Sequence, residues 1–136
     1  MHMCYTSSCM VNLTLDDMLS IRDRISETFQ DRFEVMSLHG LMSALASPER
    51  SAFGEAVFPT LVDKAGALVY SLVQNHPFWD GNKRIASAAL RLFIERNGAK
   101  LAATDQDLNQ FTTGIARGTL RDAAITGWIA NRIEYK

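Results

Sequence analysis

Cysteine is nearly absent from this chain. Cys4 and Cys9 are the only two, and both fall in the first nine residues. Together with His2 they could sketch a metal site, but free thiols in a disordered tail are the plainer reading. A dominant charge is lacking too. Fourteen lysines and arginines stand against fifteen aspartates and glutamates, a net charge of −1. That removes the electrostatic reason to expect sequence-independent binding of nucleic acid. No apolar run reaches membrane-spanning length. The best, Ala65 to Val73, is short and is preceded by Asp63 and Lys64. The N-terminus has no apolar core of a signal peptide, so the expected location is cytoplasmic. Met3 and Met10 are further candidate start residues. Repeats, low-complexity stretches and linkers are also missing.

What remains is an ordinary globular composition, 47% hydrophobic and 21% charged over 136 residues. That is enough chain for a sizeable core without staples. The expected organisation is a flexible tail over residues 1–12 and a single domain over residues 13–136. The pattern within that domain is helical nearly throughout. Thr14 with Asp17 makes an acidic capping box. Leu15, Met18, Leu19, Arg22, Ile25 and Phe29 follow at helical spacing. Leu38 to Ala46 reads as a second helix, stopped by Ser47-Pro48. Residues 51–58 lack a helical period and read as a loop or a small hairpin. Pro59 suits the first turn of a third helix, whose apolar stripe ends at Asn75. A fourth runs from about Asn82 to Asn97, with Gly98 as its stop. Thr104 with Asp107 starts a fifth, ending near Gly118. Thr119 with Asp122 starts a sixth, carrying Trp128, Ile129 and Ile133. Patterning alone thus predicts an all-α bundle of about six helices.

Between the third and fourth helices lies the most informative stretch, His76-Pro77-Phe78-Trp79-Asp80-Gly81-Asn82-Lys83-Arg84. A polar loop opening onto a helix N-terminus is a natural phosphate site, because the first-turn N–H groups point outward and the helix dipole favours an anion. Lys83 and Arg84 add full positive charge there. His76 can take a proton near neutral pH. Asp80 offers a hard oxygen of the kind magnesium uses when it is shared with phosphates. Each residue also has a plainer reading. His76 can end the preceding helix, and Asp80 can cap the following one. Gly81 can serve a tight turn, Asn82 can cap, and Lys83 and Arg84 can be solvated surface cations.

The same nine residues resemble the signature of the Fic/Doc superfamily, HxFx(D/E)GN(G/K)R. Lys83 after Asn82 resembles the Doc, or death-on-curing, branch, where Fic proteins proper carry glycine. Residues 38–48, 54–65 and 91–98 also look like the corresponding segments of that family. The resemblance implies the Fic-type helical fold, with a small flap at residues 51–59 that docks an extended segment of a target protein. It implies His76 as the base, Asp80 as the magnesium (Mg2+) ligand, and Gly81, Asn82, Lys83 and Arg84 as the groups that receive the phosphates of ATP.

Two departures from the Fic pattern carry weight. AMP-transferring members have glycine where this chain has Lys83, and a second arginine where it has Ser87. In the Doc branch these changes accompany transfer of the γ-phosphate to a threonine of elongation factor Tu. The implied function is therefore a toxin of a toxin–antitoxin system, a protein kinase that halts translation. Its implied partners are elongation factor Tu as substrate and a cognate antitoxin whose C-terminal segment folds onto it. Neither a nucleic acid nor a membrane is an expected partner. A third departure is Ala88, where Doc has an asparagine that contacts phosphate. The alternatives are transfer of AMP or another phosphate-linked group, and a catalytically inactive binding module. No full match to the self-inhibitory pattern (S/T)xxxE(G/N) is present. Residues 51–56 come closest and end in Ala56.

Overall fold

Thr14 starts the first helix as its spacing with Asp17 predicts. The Thr14 hydroxyl accepts from the Asp17 N–H, and the Asp17 carboxylate accepts from the Thr14 N–H at 2.8 Å. In the computed structural model, which describes residues 10–29 and 32–136, the helix α1 spans Leu15–Ser26 and buries Met18 and Ile21. It ends one turn short of Phe29, which the helical stripe had included. Ser37 caps α2, Leu38–Ala46, and Pro48 continues it as a 3-10 turn over Ser47–Glu49 instead of stopping it outright. The candidate ligands His2, Cys4 and Cys9 lie outside the described residues. So do the first nine residues of the expected tail. Its last three are tied down: Val11 donates to and accepts from the side chain of Asn97 at 2.7 and 3.0 Å.

Residues 51–58 form the small hairpin. Strands β1, Ser51–Ala52, and β2, Glu55–Ala56, pair antiparallel. Thr60 then caps α3, Leu61–Asn75, so Pro59 sits before the cap and not in the first turn. α4 spans Asn82–Arg96. These two helices form the centre of the core. α3 buries Leu61, Ala65, Leu68, Val69, Leu72 and Val73; α4 buries Ile85, Ala86, Ala89, Leu90, Phe93 and Ile94. α1 and α2 pack on one another and on this pair. α5, Asp105–Arg117, packs on both, and α6, Ala123–Ala130, packs on α3. Gly66 permits the last contact, since a Cβ there would press on the Thr126 methyl at 3.1 Å.

The all-α expectation of six helices with a hairpin before the central pair is what the described residues adopt. Two details differ. The Thr119–Asp122 spacing does not cap α6. The Thr119 hydroxyl donates instead to the Gly114 carbonyl, and Asp122 makes no side-chain cap. Ile133 is not helical. It opens β4, Ile133–Tyr135, which pairs antiparallel with β3, Ala99–Leu101. No helix among the described residues is long and apolar enough to cross a membrane.

Candidate active site

α3 has to end sharply for the polar loop to form. His76 ends it in the left-handed region, φ 48° and ψ 56°. The helix-ending reading of His76 is therefore correct, and it also leaves the ring exposed at the mouth of the loop. Phe78 is fully buried and anchors the loop to the core, as its apolar ring requires. Gly81 re-enters helix at φ 76° and occupies the N-cap position of α4 without offering a side-chain cap. Its missing Cβ matters twice. The positive φ suits glycine, and a Cβ would collide with the ring of Phe33.

Asn82 organises the loop from within. It is 8% exposed. Its carbonyl oxygen accepts from the Phe78 N–H at 2.9 Å, and its amide nitrogen donates to the Phe78 carbonyl at 2.8 Å. The same nitrogen lies 3.2 Å from Nδ1 of His76. The Phe78 pair fixes which way the amide faces, and an amide nitrogen only donates. Nδ1 is therefore the acceptor, and the neutral ring carries its proton on Nε2. The side chain of Asn82 is committed to holding the loop and orienting the histidine, so it is not poised as a phosphate ligand.

A second segment, invisible in the motif, straps the loop from outside. Residues 32–37 run antiparallel to it. The Pro77 carbonyl accepts from both Met36 and Ser37, at 2.8 and 3.0 Å. The Trp79 N–H donates to the Glu34 carbonyl at 3.0 Å, and Val35 bridges Phe78. Asp80 accepts from the Arg32 N–H at 3.3 Å, so it does not cap α4. The Arg84 guanidinium sits 3.8 Å from the centre of the Phe29 ring, a cation–π contact.

These residues enclose a cavity of about 470 Å³ lined by His76, Asp80, Gly81, Asn82, Lys83 and Arg84, with Trp79, Val73, Asn109 and Ala116 completing the wall. The volume falls within the about 300–1,000 Å³ of small-ligand sites. All six residues expected from the sequence thus meet at one place. A neighbouring cavity of about 520 Å³ lies along α4 and α5. Ser87, Ala88 and Arg91 face Leu108, Asn109 and Thr112 across it, and Ile25 and Phe29 close it. A third, about 550 Å³, lies between the hairpin, α2, α3 and α6, with Arg50, Phe58, Asp63 and Tyr70 in its wall. The chemistry-bearing residues concentrate in the motif cavity.

Among the described residues Asp80 is the lone carboxylate lining the motif cavity. Among the described residues no group of three or more His, Cys, Asp or Glu is placed to hold a metal. That donor set suits magnesium, which takes one or two carboxylates and completes its shell with phosphate oxygens and water. It does not suit a protein-caged zinc.

Sequence reasoning missed Phe29, Arg32, Phe33 and Asn109. They come from other parts of the chain, and the one local pattern that includes any of them, the α1 stripe ending at Phe29, marks core and not a site. The sequence of the Fic/DOC family matches residues 12–94, more than half of the chain and all of the motif. Asn109 lies beyond that segment. Over 66 residues the chain is 47% identical to Toxin Doc of Mycolicibacterium smegmatis, covering 48% of this chain and 51% of the relative. The chain therefore spans about half the length of the curated relative it matches.

Proposed function

The chain belongs to the Fic/DOC family, and from that premise we propose that it is a Doc-like toxin of a toxin–antitoxin system that transfers the γ-phosphate of ATP to a hydroxyl of a protein. Elongation factor Tu is the proposed acceptor by family resemblance, and an antitoxin is the proposed inhibitor. The observation that carries the reading is one cavity holding His76, Asp80, Lys83 and Arg84 together, beside a wall opened by Ser87. The likeness to Toxin Doc supports the toxin part.

Phosphoryl transfer asks the protein mainly to position and to neutralise charge. Lys83 and Arg84 bind the phosphoryl oxygens, and the first-turn N–H groups of α4 point the same way. Gly81 lets the phosphates approach the backbone. Asp80 would hold magnesium, which draws charge from the phosphates when bound. The acceptor oxygen attacks the γ-phosphorus, and the bond from that phosphorus to the bridging oxygen breaks. ADP leaves with the electron pair, and the hydroxyl proton passes to His76. For Nε2 to take it, the ring's own proton must move to Nδ1. The 3.2 Å contact with Asn82 therefore has to open as the acceptor arrives. A lysine at position 83 fills space that glycine would leave to the nucleotide phosphates, which favours phosphoryl over AMP transfer.

The test is transfer of label from γ-³²P-ATP and, in parallel, α-³²P-ATP, with magnesium, into purified elongation factor Tu and into a bacterial lysate. Label from the γ position alone is expected. Label from the α position would move the chemistry to AMP transfer. No label from either, with folded protein, would leave a binding module.

A further inference from the structure

Asp63, Gly66, Ala67, Tyr70, Ser71 and Asn75 recur along α3 at helical spacing. All six line the cavity of about 550 Å³ between the hairpin, α2, α3 and α6. One face of α3 therefore floors that cavity from the first turn of the helix to its last residue, over about 18 Å. The cavity is thus a groove along α3. Its two ends differ. Val57 and Phe58 of the hairpin lead into the start of α3, and Asn75 directly precedes His76. A chain laid in the groove runs from the hairpin toward the proposed base.

The wall of the groove is polar and uncommitted. Among the described residues no hydrogen bond or ion pair engages the side chain of Arg50, Asp63, Tyr70, Ser71 or Asp122. Asp63 gives its backbone N–H to the Thr60 hydroxyl at 3.1 Å and keeps its carboxylate free. Asp122 is more telling. It occupies the N-cap position of α6, where aspartate ordinarily accepts from the first-turn N–H groups. Its backbone stands at φ 52° and ψ −120°, a region that glycine alone enters easily, and no such cap forms. The carboxylate lines the groove instead. Asp63 and Asp122 outnumber the guanidinium of Arg50, so the lining side chains are net negative. Gly66, Ala67 and Ser71 keep the floor low, which lets a backbone lie close against it. An amphipathic helix would want an apolar groove. Free hydroxyls and carboxylates beside a floor of small side chains suit an extended chain, whose amides and cationic side chains can use them. We propose that this groove takes an extended segment of the acceptor protein, and that Asp63 and Asp122 select a lysine or arginine in it. The length of the groove sets the spacing. At the rise of an extended chain, that cation lies within about six residues of the hydroxyl presented to His76. The inference rests on the transfer reading given above and adds to it a charge preference in the acceptor.

Amide-resolved NMR titration of the full chain locates the segment without relying on transfer. The probes are two threonine-centred peptides that differ only in carrying lysine or glutamate about six residues to either side of the threonine. The lysine peptide should shift the amides of Ser43, Gly66, Ser71 and Thr126. It should bind several-fold tighter than the glutamate peptide, by a margin that shrinks at high salt. Asp63→Asn and Asp122→Asn should each weaken the lysine peptide about two- to fivefold and leave the glutamate peptide no weaker. Asparagine tolerates positive φ, so the second variant keeps its turn, and thermal melts check the fold of both. Binding of neither peptide, shifts confined to other surfaces, equal affinities for the two peptides, or variants that lose nothing would each overturn the role of the groove, even for a chain that phosphorylates a protein. Lysine-selective binding in the groove by a chain that transfers phosphate to no protein would overturn the transfer reading, and with it the acceptor as occupant.

Discussion

Two turns flank α3, and they are held in opposite ways. The one after it, residues 76–81, is fastened from three directions. Asn82 closes it from inside, residues 32–37 strap it from outside, and Phe78 pins it to the core. The one before it, residues 51–57, is exposed at every position. It rests on two short strands and a Val57 N–H to Arg50 carbonyl bond, and the Phe53 ring at its tip is wholly solvent-facing. Chemistry gains from groups that are already in place, because nothing must reorganise during the reaction. Recruitment of another chain gains from an edge that is still unpaired. The contrast separates a firmly fastened motif loop, the proposed reacting loop, from a loosely held hairpin, the proposed docking element, on the two ends of one helix.

Breaking the reacting loop's chemistry without breaking its architecture is the sharpest cut. His76→Ala removes the proposed base while the Asn82 bonds to Phe78 remain. Transfer should fall about 10²- to 10⁴-fold, the range of a general base, and the unfolding midpoint should hardly move. Single-turnover transfer beside a thermal melt reads both. A fully active His76→Ala protein would sink the mechanism.

Asn82→Ala cuts the architecture instead. It leaves the buried N–H and carbonyl of Phe78 without partners, at about 1–3 kcal/mol for each. Denaturant unfolding should show a loss of about 2–6 kcal/mol, with transfer lost as well. If stability were unchanged, the loop would be held by the strap alone. Asn82→Asp keeps the acceptor for the Phe78 N–H but replaces the donor. It should recover only part of the stability.

The pairing of α1 with the far end of α4 gives a smaller, pH-dependent effect. Arg96 binds Asp17 through two hydrogen bonds of 2.6 and 2.8 Å. That pairing, aided by the Thr14 cap, lowers the Asp17 carboxyl from an ordinary 3.8 to about 2. A lowered carboxylate stabilises the fold above its unfolded value and loses that contribution as pH falls through its folded value. Arg96→Ala should therefore cost about 1 kcal/mol or less at pH 5, and most of the gap to wild type should be gone at pH 2. Melting curves across that range decide it. A gap that persists at pH 2 would mean that Arg96 acts through packing. Placed at the opposite end of α4 from the motif, this change should leave transfer untouched.

The contrast between the turns was only half legible in the sequence. Nine contiguous residues carried the reacting loop, and the apolar period of α4 with its glycine stop placed the helix behind it to within a residue. The strap was not legible. Glu34, Met36 and Ser37 lie some forty residues before the loop they hold, and their hydrogen bonds run through backbone that any residue type offers. Asn109 was hidden for the same reason: an exposed asparagine on an amphipathic helix looks like solvated surface until the facing helix is in place. The β3–β4 pair failed differently. Ile133 fits a helical stripe when read locally, but β4 pairs with a strand some thirty residues earlier. At Thr119 two local rules competed. The end of α5 at Gly118 drew the Thr119 hydroxyl back to Gly114, and the capping box that its spacing suggested did not form.

The hairpin gives the smallest effect on stability and the cleanest test of the contrast. Phe53 adopts φ 54°, a conformation unusual for a bulky residue, yet its ring buries nothing. Asparagine tolerates that region better than most residues, so Phe53→Asn should change unfolding free energy by no more than about 0.5 kcal/mol. If the exposed ring serves to engage an acceptor protein, KM for that acceptor should rise several-fold while kcat and nucleotide binding stay as they were. The reacting loop predicts the reverse pattern for its own residues, in which rate and stability fail before acceptor affinity does. A Phe53→Asn protein that unfolds several degrees early would erase the distinction, because the hairpin would then be holding the fold. An unchanged KM would move recruitment elsewhere, with the cavity between the hairpin, α2 and α6 as the next surface to alter.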